Sequence, residues 1–218
     1  MKGYVGTVFE IPESIKMAER CVASGEQFGV DVEMIPAVYK DDALERLGQE
    51  GLKLAKFDDT YSNVGAVVGN FITQFLCWHK ILRSDEPGIV LEHDAIFTNT
   101  VPVIVPLAKP DIINLGKPSY GKFREMNRPG IYPMFSKTGG YIPGAHGYYV
   151  TVAGALQLIT KAKQIGATPC DLFLNKTNFP AISELYPWVI EADDEFTTIQ
   201  KEKGCIAKHN FNDDYKIL

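Results

Sequence analysis

From Val64 to Leu82 the residues Val64, Val67, Val68, Phe71, Ile72, Phe75, Trp78, Ile81 and Leu82 recur at three and four. That spacing lines one face of an amphipathic helix packed on a sheet. Upstream, Tyr4 to Val8 is a short β-branched run. Pro12 opens IKMAERCVASG as a helix, with proline in the first turn and Gly25 near the end. VDVEMIPAVY alternates as a strand, and DDALERLGQEGLKLAKF follows as a helix with aspartates at its start and Leu44, Leu47 and Leu52 as apolar positions. The βαβα order predicts a parallel sheet.

The turn-forming SDEPG precedes IVLEHDAIF, and DIINLG reads as a further short strand. Residues 117–143 carry many glycines and prolines without sustained period, which predicts a long loop with at most a short hairpin, of the kind that serves as a lid. AHGYYVTV then reads as a strand, AGALQLITKAKQIG as a helix closed by Gly166, PCDLFLNKT as a shorter helix, and ISELYPWVIEADD as one more strand. From Phe196 onward the chain is polar and aperiodic, a tail that could fold back over a site.

Composition narrows the class. The 218 residues are 45% hydrophobic and 22% charged, enough to bury one substantial core, with no repeat or linker that would split it. A net charge of -5 with scattered lysines and arginines argues against nucleic acid as a partner. No stretch has the roughly 20 apolar residues that span a bilayer, and the first residues lack an apolar signal region, so the expectation is a cytoplasmic protein without a transmembrane segment. Cys21, Cys77, Cys170 and Cys205 are far apart, which predicts reduced, mostly buried thiols rather than a disulfide framework or zinc site.

Glu92, His93 and Asp94 interrupt the apolar run of IVLEHDAIF. If the segment stays extended, Glu92 and Asp94 project to one face and His93 to the other. Ligands of open α/β sheets sit beyond the carboxyl ends of the strands. Two carboxylates there suit a hard cation, Mg2+ or Mn2+, that also holds a diphosphate. The alternative is that the strand ends at Leu91 and the charged residues form a solvated turn.

Five motifs in order, GAVVGNFITQFLCWHKIL, IVLEHDAIF, IINLG, PGAHGYYVTVAGALQLI and PCDLFL, resemble those of glycosyltransferase family 25, which includes bacterial lipopolysaccharide hexosyltransferases and collagen galactosyltransferases. The likeness runs from Ala37 to Ile199 and is strongest between Gly65 and Leu174. It implies a GT-A fold: an α/β, Rossmann-like, mostly parallel sheet flanked by helices, with a long active-site loop. It also implies a single domain over 1–218, with residues 1–116 as the nucleotide-binding half and 117–218 as the acceptor half and tail.

The implied activity is metal-dependent, inverting transfer of a hexose from a nucleotide-sugar donor, UDP-linked by expectation, to a hydroxyl of a glycan acceptor. Carried over by position, Asp94 and Glu92 would hold Mn2+ or Mg2+, with Glu92 also a ribose ligand. Thr73, Gln74 and His146 would lie at the donor, and Asp171 would be the base. Asp171 could equally be a helix cap, and His146 a hydrogen-bonded structural histidine. Lys122 and Arg124, with Arg128, could close over the diphosphate, and His209 could add a metal ligand from the tail. Tyr120, Tyr132 and Tyr141 could stack on a sugar or base, whereas Trp78, Tyr148 and Tyr149 read as core.

The chain departs from the family pattern in three places. His93 stands where the family has its middle acid, Thr73 and Gln74 replace a Ser-His pair, and FEIPESIKMAER replaces an arginine-rich opening. Gln74 cannot titrate, so it cannot take over acid–base work. Nucleotidyl transfer and a non-catalytic binding module are the competing readings, and they differ from hexosyl transfer in what is released.

Overall fold

The computed structural model describes residues 1–55, 63–118, 125–134 and 140–192. Fifteen elements follow one another in these segments. The first half holds β1 (Lys2–Thr7), α1 (Pro12–Gln27), β2 (Asp31–Pro36), α2 (Ala43–Gln49), α3 (Val64–Ser84), β3 (Gly88–Leu91), β4 (Ala95–Phe97) and α4 (Ile104–Leu107). The second holds β5 (Ile112–Asn114), β6 (Gly130–Pro133), β7 (Gly147–Val150), α5 (Val152–Ile165), α6 (Cys170–Phe173), β8 (Ser183–Tyr186) and β9 (Ile190–Ala192). No helix among the described residues is long and apolar enough to cross a membrane.

The chain is α/β, with a Rossmann-like seven-stranded sheet in the order β2-β1-β3-β7-β5-β8-β6. β1 pairs in parallel with both β2 and β3, and β5 with β8, whereas β7 and β6 pair antiparallel with their neighbours. Most strands thus share one direction. The mostly parallel sheet expected from the sequence is present, with β2-β1-β3 and β5-β8 paired in parallel and β7 inserted between β3 and β5 in the reverse sense.

Alternation along the strands sorts the core into two layers. Tyr4, Val90, Tyr148 and Val150 face one side with Phe71, Trp78, Leu158 and Phe173 of α3, α5 and α6. Val5, Ile89, Leu91 and Tyr149 face the other with Ala18 and Cys21 of α1 and with Ala95, Phe97 and Ile190 of the small β4–β9 sheet. In the first layer Phe173 meets Phe71 edge-on at 5.1 Å and stacks on Trp78 at 5.6 Å. Such ring pairs add about 0.5–1.5 kcal/mol each beyond their area.

α3 forms where its spacing predicts. Asn63 caps it by accepting from the Ala66 N–H at 3.0 Å. Gly65 and Gly69, one turn apart, let the helix lie against the backbone that follows β2: a Cβ at either would strike the Lys40 or the Val38 carbonyl. One turn further, Thr73 Oγ1 donates to the Gly69 carbonyl at 2.7 Å and accepts from the Val38 N–H at 2.9 Å. α5 is capped by Thr151 and ends at Gly166, whose φ of 91° suits glycine.

Four boundaries differ from the sequence expectation. The helix after β2 stops at Gln49, so Leu52 lies beyond it, and of the three expected apolar leucines Leu44 faces solvent. Residues 117–143 are not all loop: β6 pairs there with β8 at the sheet edge. The segment after Ile182 is two strands rather than one, because Pro187, which has no N–H to give a ladder, separates β8 from β9. Above all, IVLEHDAIF is not one strand. β3 ends at Leu91, the Ala95 N–H returns to the Glu92 carbonyl at 3.1 Å, and β4 leaves for the second sheet.

Candidate active site

The chain leaves β1 toward β2 on one side, and its next strand in the sheet, β3, lies on the other side of β1. The carboxyl ends of β1 and β3 therefore flank the point where strand order reverses, the place where open α/β sheets bind ligands. The turn from Glu92 to Ala95 sits at that point. Glu92, His93 and Asp94 are each half-buried there rather than fully solvated.

Because the triplet is a turn, strand alternation no longer brings Glu92 and Asp94 to one face. Glu92 is directed to α3, where its Oε1 accepts from Asn70 Nδ2 at 2.8 Å and from Gln74 Nε2 at 3.1 Å. Asp94 lies toward the opposite layer, close enough to Cys21 of α1 for its charge to help raise that thiol. Burial is the larger cause, and together they push Cys21 up to about 12.

His93 Nδ1 meets Ser14 Oγ at 3.2 Å, and the same hydroxyl accepts from the Val8 N–H at 3.0 Å. With that N–H as donor, the hydroxyl hydrogen is best used toward His93 Nδ1, which puts the ring hydrogen on Nε2. Burial lowers the His93 pKa, so the ring is neutral at pH 7.

Behind Glu92 runs a directional chain. The indole of Trp78 can only donate, and it donates to the Tyr148 hydroxyl at 2.8 Å. Tyr148 in turn donates to Gln74 Oε1 at 2.6 Å, an oxygen that also receives the Cys170 thiol at 3.0 Å. Gln74 then donates through Nε2 to Asn70 Oδ1 at 2.9 Å and to Glu92. Desolvation raises both Tyr148 and Cys170 well above their ordinary values, so both keep the hydrogens that this chain requires.

The remaining candidates fall in different places. Thr73 is buried and uses its hydroxyl between Gly69 and Val38, and Gln74 is 2% exposed. Neither presents its polar group to the crevice. His146 is also buried, with its backbone carbonyl accepting from the Glu92 N–H at 3.0 Å, one step past the β3–β7 ladder. Its ring lies over Gly116, where a Cβ would stand 2.6 Å from Nε2. Neither ring nitrogen has a hydrogen bond of acceptable geometry among the described residues. Desolvation lowers the imidazole to about 4, and the nearby Lys117 backbone opposes this only weakly. The preceding Gly144 and Ala145 have φ of 89° and 50°, and the value at Ala145 is backbone strain beside the site.

Asp171 is in the first turn of α6, where Oδ1 accepts from the Leu172 N–H at 2.8 Å. That is helix-start geometry, although the cap position itself belongs to Pro169. Through its neighbour Cys170 it is one residue from the Gln74 chain. Arg128 is exposed, Tyr132 donates to the Arg128 carbonyl at 2.9 Å, and Tyr141 is half-buried. Lys122, Arg124, Tyr120, Cys205 and His209 lie outside the described residues.

Sequence reasoning missed Asn70, Ser14 and the polar function of Tyr148. Asn70 and Gln74 are four apart and so share a helix face, which was the available signal. Ser14 carried none, since its partner is 79 residues away.

Among the described residues no group of three or more His, Cys, Asp or Glu side chains could hold a metal ion. Glu92 and Asp94 stand two residues apart on one turn but are directed to opposite layers, so they do not converge there as a two-carboxylate cation site.

No protein-family model matches the chain. No curated protein matches it either. Among solved structures it is similar to a protein from Bacillus anthracis assigned as a glucose-1-phosphate thymidylyltransferase, in complex with a sucrose. Identity is 14% over 84% of this chain and 85% of that chain, with a TM-score of 0.43. A likeness at this level assigns no activity.

Proposed function

We infer that the chain is a transferase acting on a nucleotide-activated sugar, and that it moves a hexosyl group from a nucleoside diphosphate to a hydroxyl of a glycan. The observation that carries this reading is the carboxylate-bearing turn at the strand-order reversal between β1 and β3. The family resemblance of the five motifs supports the choice of sugar transfer over other nucleotide chemistry.

In this reading the diphosphate lies over the Glu92–Ala95 turn. Asp94 would contact Mn2+ or Mg2+, which would supply neutralisation of the departing charge, and Glu92, held by Asn70 and Gln74, would meet the ribose of the donor. Neutral His93, fixed by Ser14 with hydrogen on Nε2, donates to the donor's polar atoms. Asp171 accepts the proton of the acceptor hydroxyl as that oxygen bonds the anomeric carbon; the bond to the diphosphate breaks and its electrons leave with the nucleoside diphosphate. Displacement from the opposite side inverts the anomeric centre.

The test is product analysis with UDP-, GDP- and CMP-sugars, with and without Mn2+. Release of nucleoside diphosphate together with a glycosylated acceptor supports hexosyl transfer. Release of pyrophosphate from a sugar phosphate and a nucleoside triphosphate would assign nucleotidyl transfer instead. Binding without turnover, with acceptor present, would make the chain a binding module.

A further inference from the structure

We propose that Gln74 is a positioning residue for Glu92, and that Trp78 and Tyr148 set the direction in which it acts. This rests on the reading of Glu92 as a donor ligand. Gln74 lies on the apolar face of α3, with Phe71 three residues before it and Trp78 four after, both fully buried. An amide there gains little for folding, since a buried polar group with all its partners is about as stable as an apolar side chain of the same shape. What the amide supplies is orientation.

The order of donors leaves Gln74 one orientation. Trp78 has no acceptor, so Tyr148 receives its hydrogen and turns its own toward Gln74 Oε1. The Cys170 thiol reaches the same oxygen. With Oε1 so held, Nε2 faces Asn70 and Glu92, and Glu92 receives two amide donors on one oxygen. A flipped amide would set its oxygen against the carboxylate and its NH2 against two donors. Cys170 also precedes Asp171, so one side chain ties the start of α6 to the end of β3 and fixes the two proposed site carboxylates relative to each other.

The experiment compares Gln74→Leu, Tyr148→Phe and the double variant in two measurements. In crystal structures of Gln74→Leu, Glu92 is expected to leave its place beside Asn70 or to occupy more than one rotamer, while Phe71, Trp78 and Phe173 stay in place. In kinetics, the donor KM is expected to rise about tenfold for Gln74→Leu, the scale of one hydrogen bond to a charged group, with kcat within about twofold.

Tyr148→Phe is expected to act in the same direction with a smaller change, and the double variant to match Gln74→Leu, because members of one chain do not add. Unmoved Glu92 and an unchanged donor KM, with only the melting temperature lowered, would overturn the proposal and leave the functional reading standing. If the wild type binds no nucleotide sugar, that reading falls, and the position of Glu92 in the variant structures still decides the proposal. Should Gln74→Leu fail to fold, Tyr148→Phe carries both measurements.

Discussion

His146 ties the stability of the fold to pH. Its ring is buried over Gly116, with neither nitrogen hydrogen-bonded among the described residues, and desolvation lowers it from 6.5 to about 4. A histidine whose folded pKa is depressed binds its proton more readily in the unfolded chain, so stability rises with pH between the two values. The contribution is complete above about pH 6.5 and is lost progressively as the pH falls toward 4. At about 1.36 kcal/mol per pH unit, the full loss is about 3 kcal/mol. That is a large part of the roughly 5–15 kcal/mol that holds an ordinary domain together.

The assay is urea unfolding at half-unit steps from pH 7.5 to 4, on the wild type and on His146→Leu, which is close in volume and cannot titrate. The wild type should lose about 3 kcal/mol more than the variant across that window. Burial also lowers His93, and His79 is lowered by burial and Arg83; both remain in the two proteins and cancel in the difference. The charged residue opposite His146 in the ladder is Glu92, so the same curve measured on Glu92→Gln separates its field from desolvation. Equal pH slopes for wild type and His146→Leu would refute the assignment of the cost to this ring.

Three further outcomes follow from the packing. Gly69→Ala gains about 1 kcal/mol of helix propensity but drives a methyl into the Val38 carbonyl, and overpacking of about 1–3 kcal/mol should win, lowering the urea midpoint. Phe71→Ala removes a ring packed on Trp78 and Phe173 and should cost about 3–5 kcal/mol in the same assay. Cys21, Cys77 and Cys170 are buried, with the first two pushed up to about 12, so a thiol reagent at pH 8 should leave all three unlabelled until urea is added. Rapid native labelling of any of the three would show that the core opens there.

α3 was legible because nine apolar residues kept helical spacing over about five turns, and β1, β2, β3 and β7 because short β-branched or aromatic runs stood between turn residues. The turn at Glu92 was legible only as the alternative to a continuing strand. No glycine, proline or asparagine marks it, and its defining bond, from the Ala95 N–H to the Glu92 carbonyl, belongs to the backbone rather than to any side chain. Extending the strand through it gave a convergent carboxylate pair, whereas the molecule directs Glu92 to α3 and places Asp94 beside α1. β6 stayed hidden because an edge strand has one partner and needs no strong pattern. Gln74 stood out in the sequence as a departure from a family motif; that it lies inside the core follows from its place between Phe71 and Trp78 on one helix face.

The central claim is that a nucleotide sugar binds over the turn at the carboxyl ends of β1 and β3. A crystal structure of the protein with Mn2+ and a UDP-sugar tests it directly. The account predicts the diphosphate over residues 92–95, the ion bound by Asp94, and loss of metal-dependent donor binding in Asp94→Asn. A donor seated elsewhere, or an ion that leaves both Glu92 and Asp94 untouched, would contradict it.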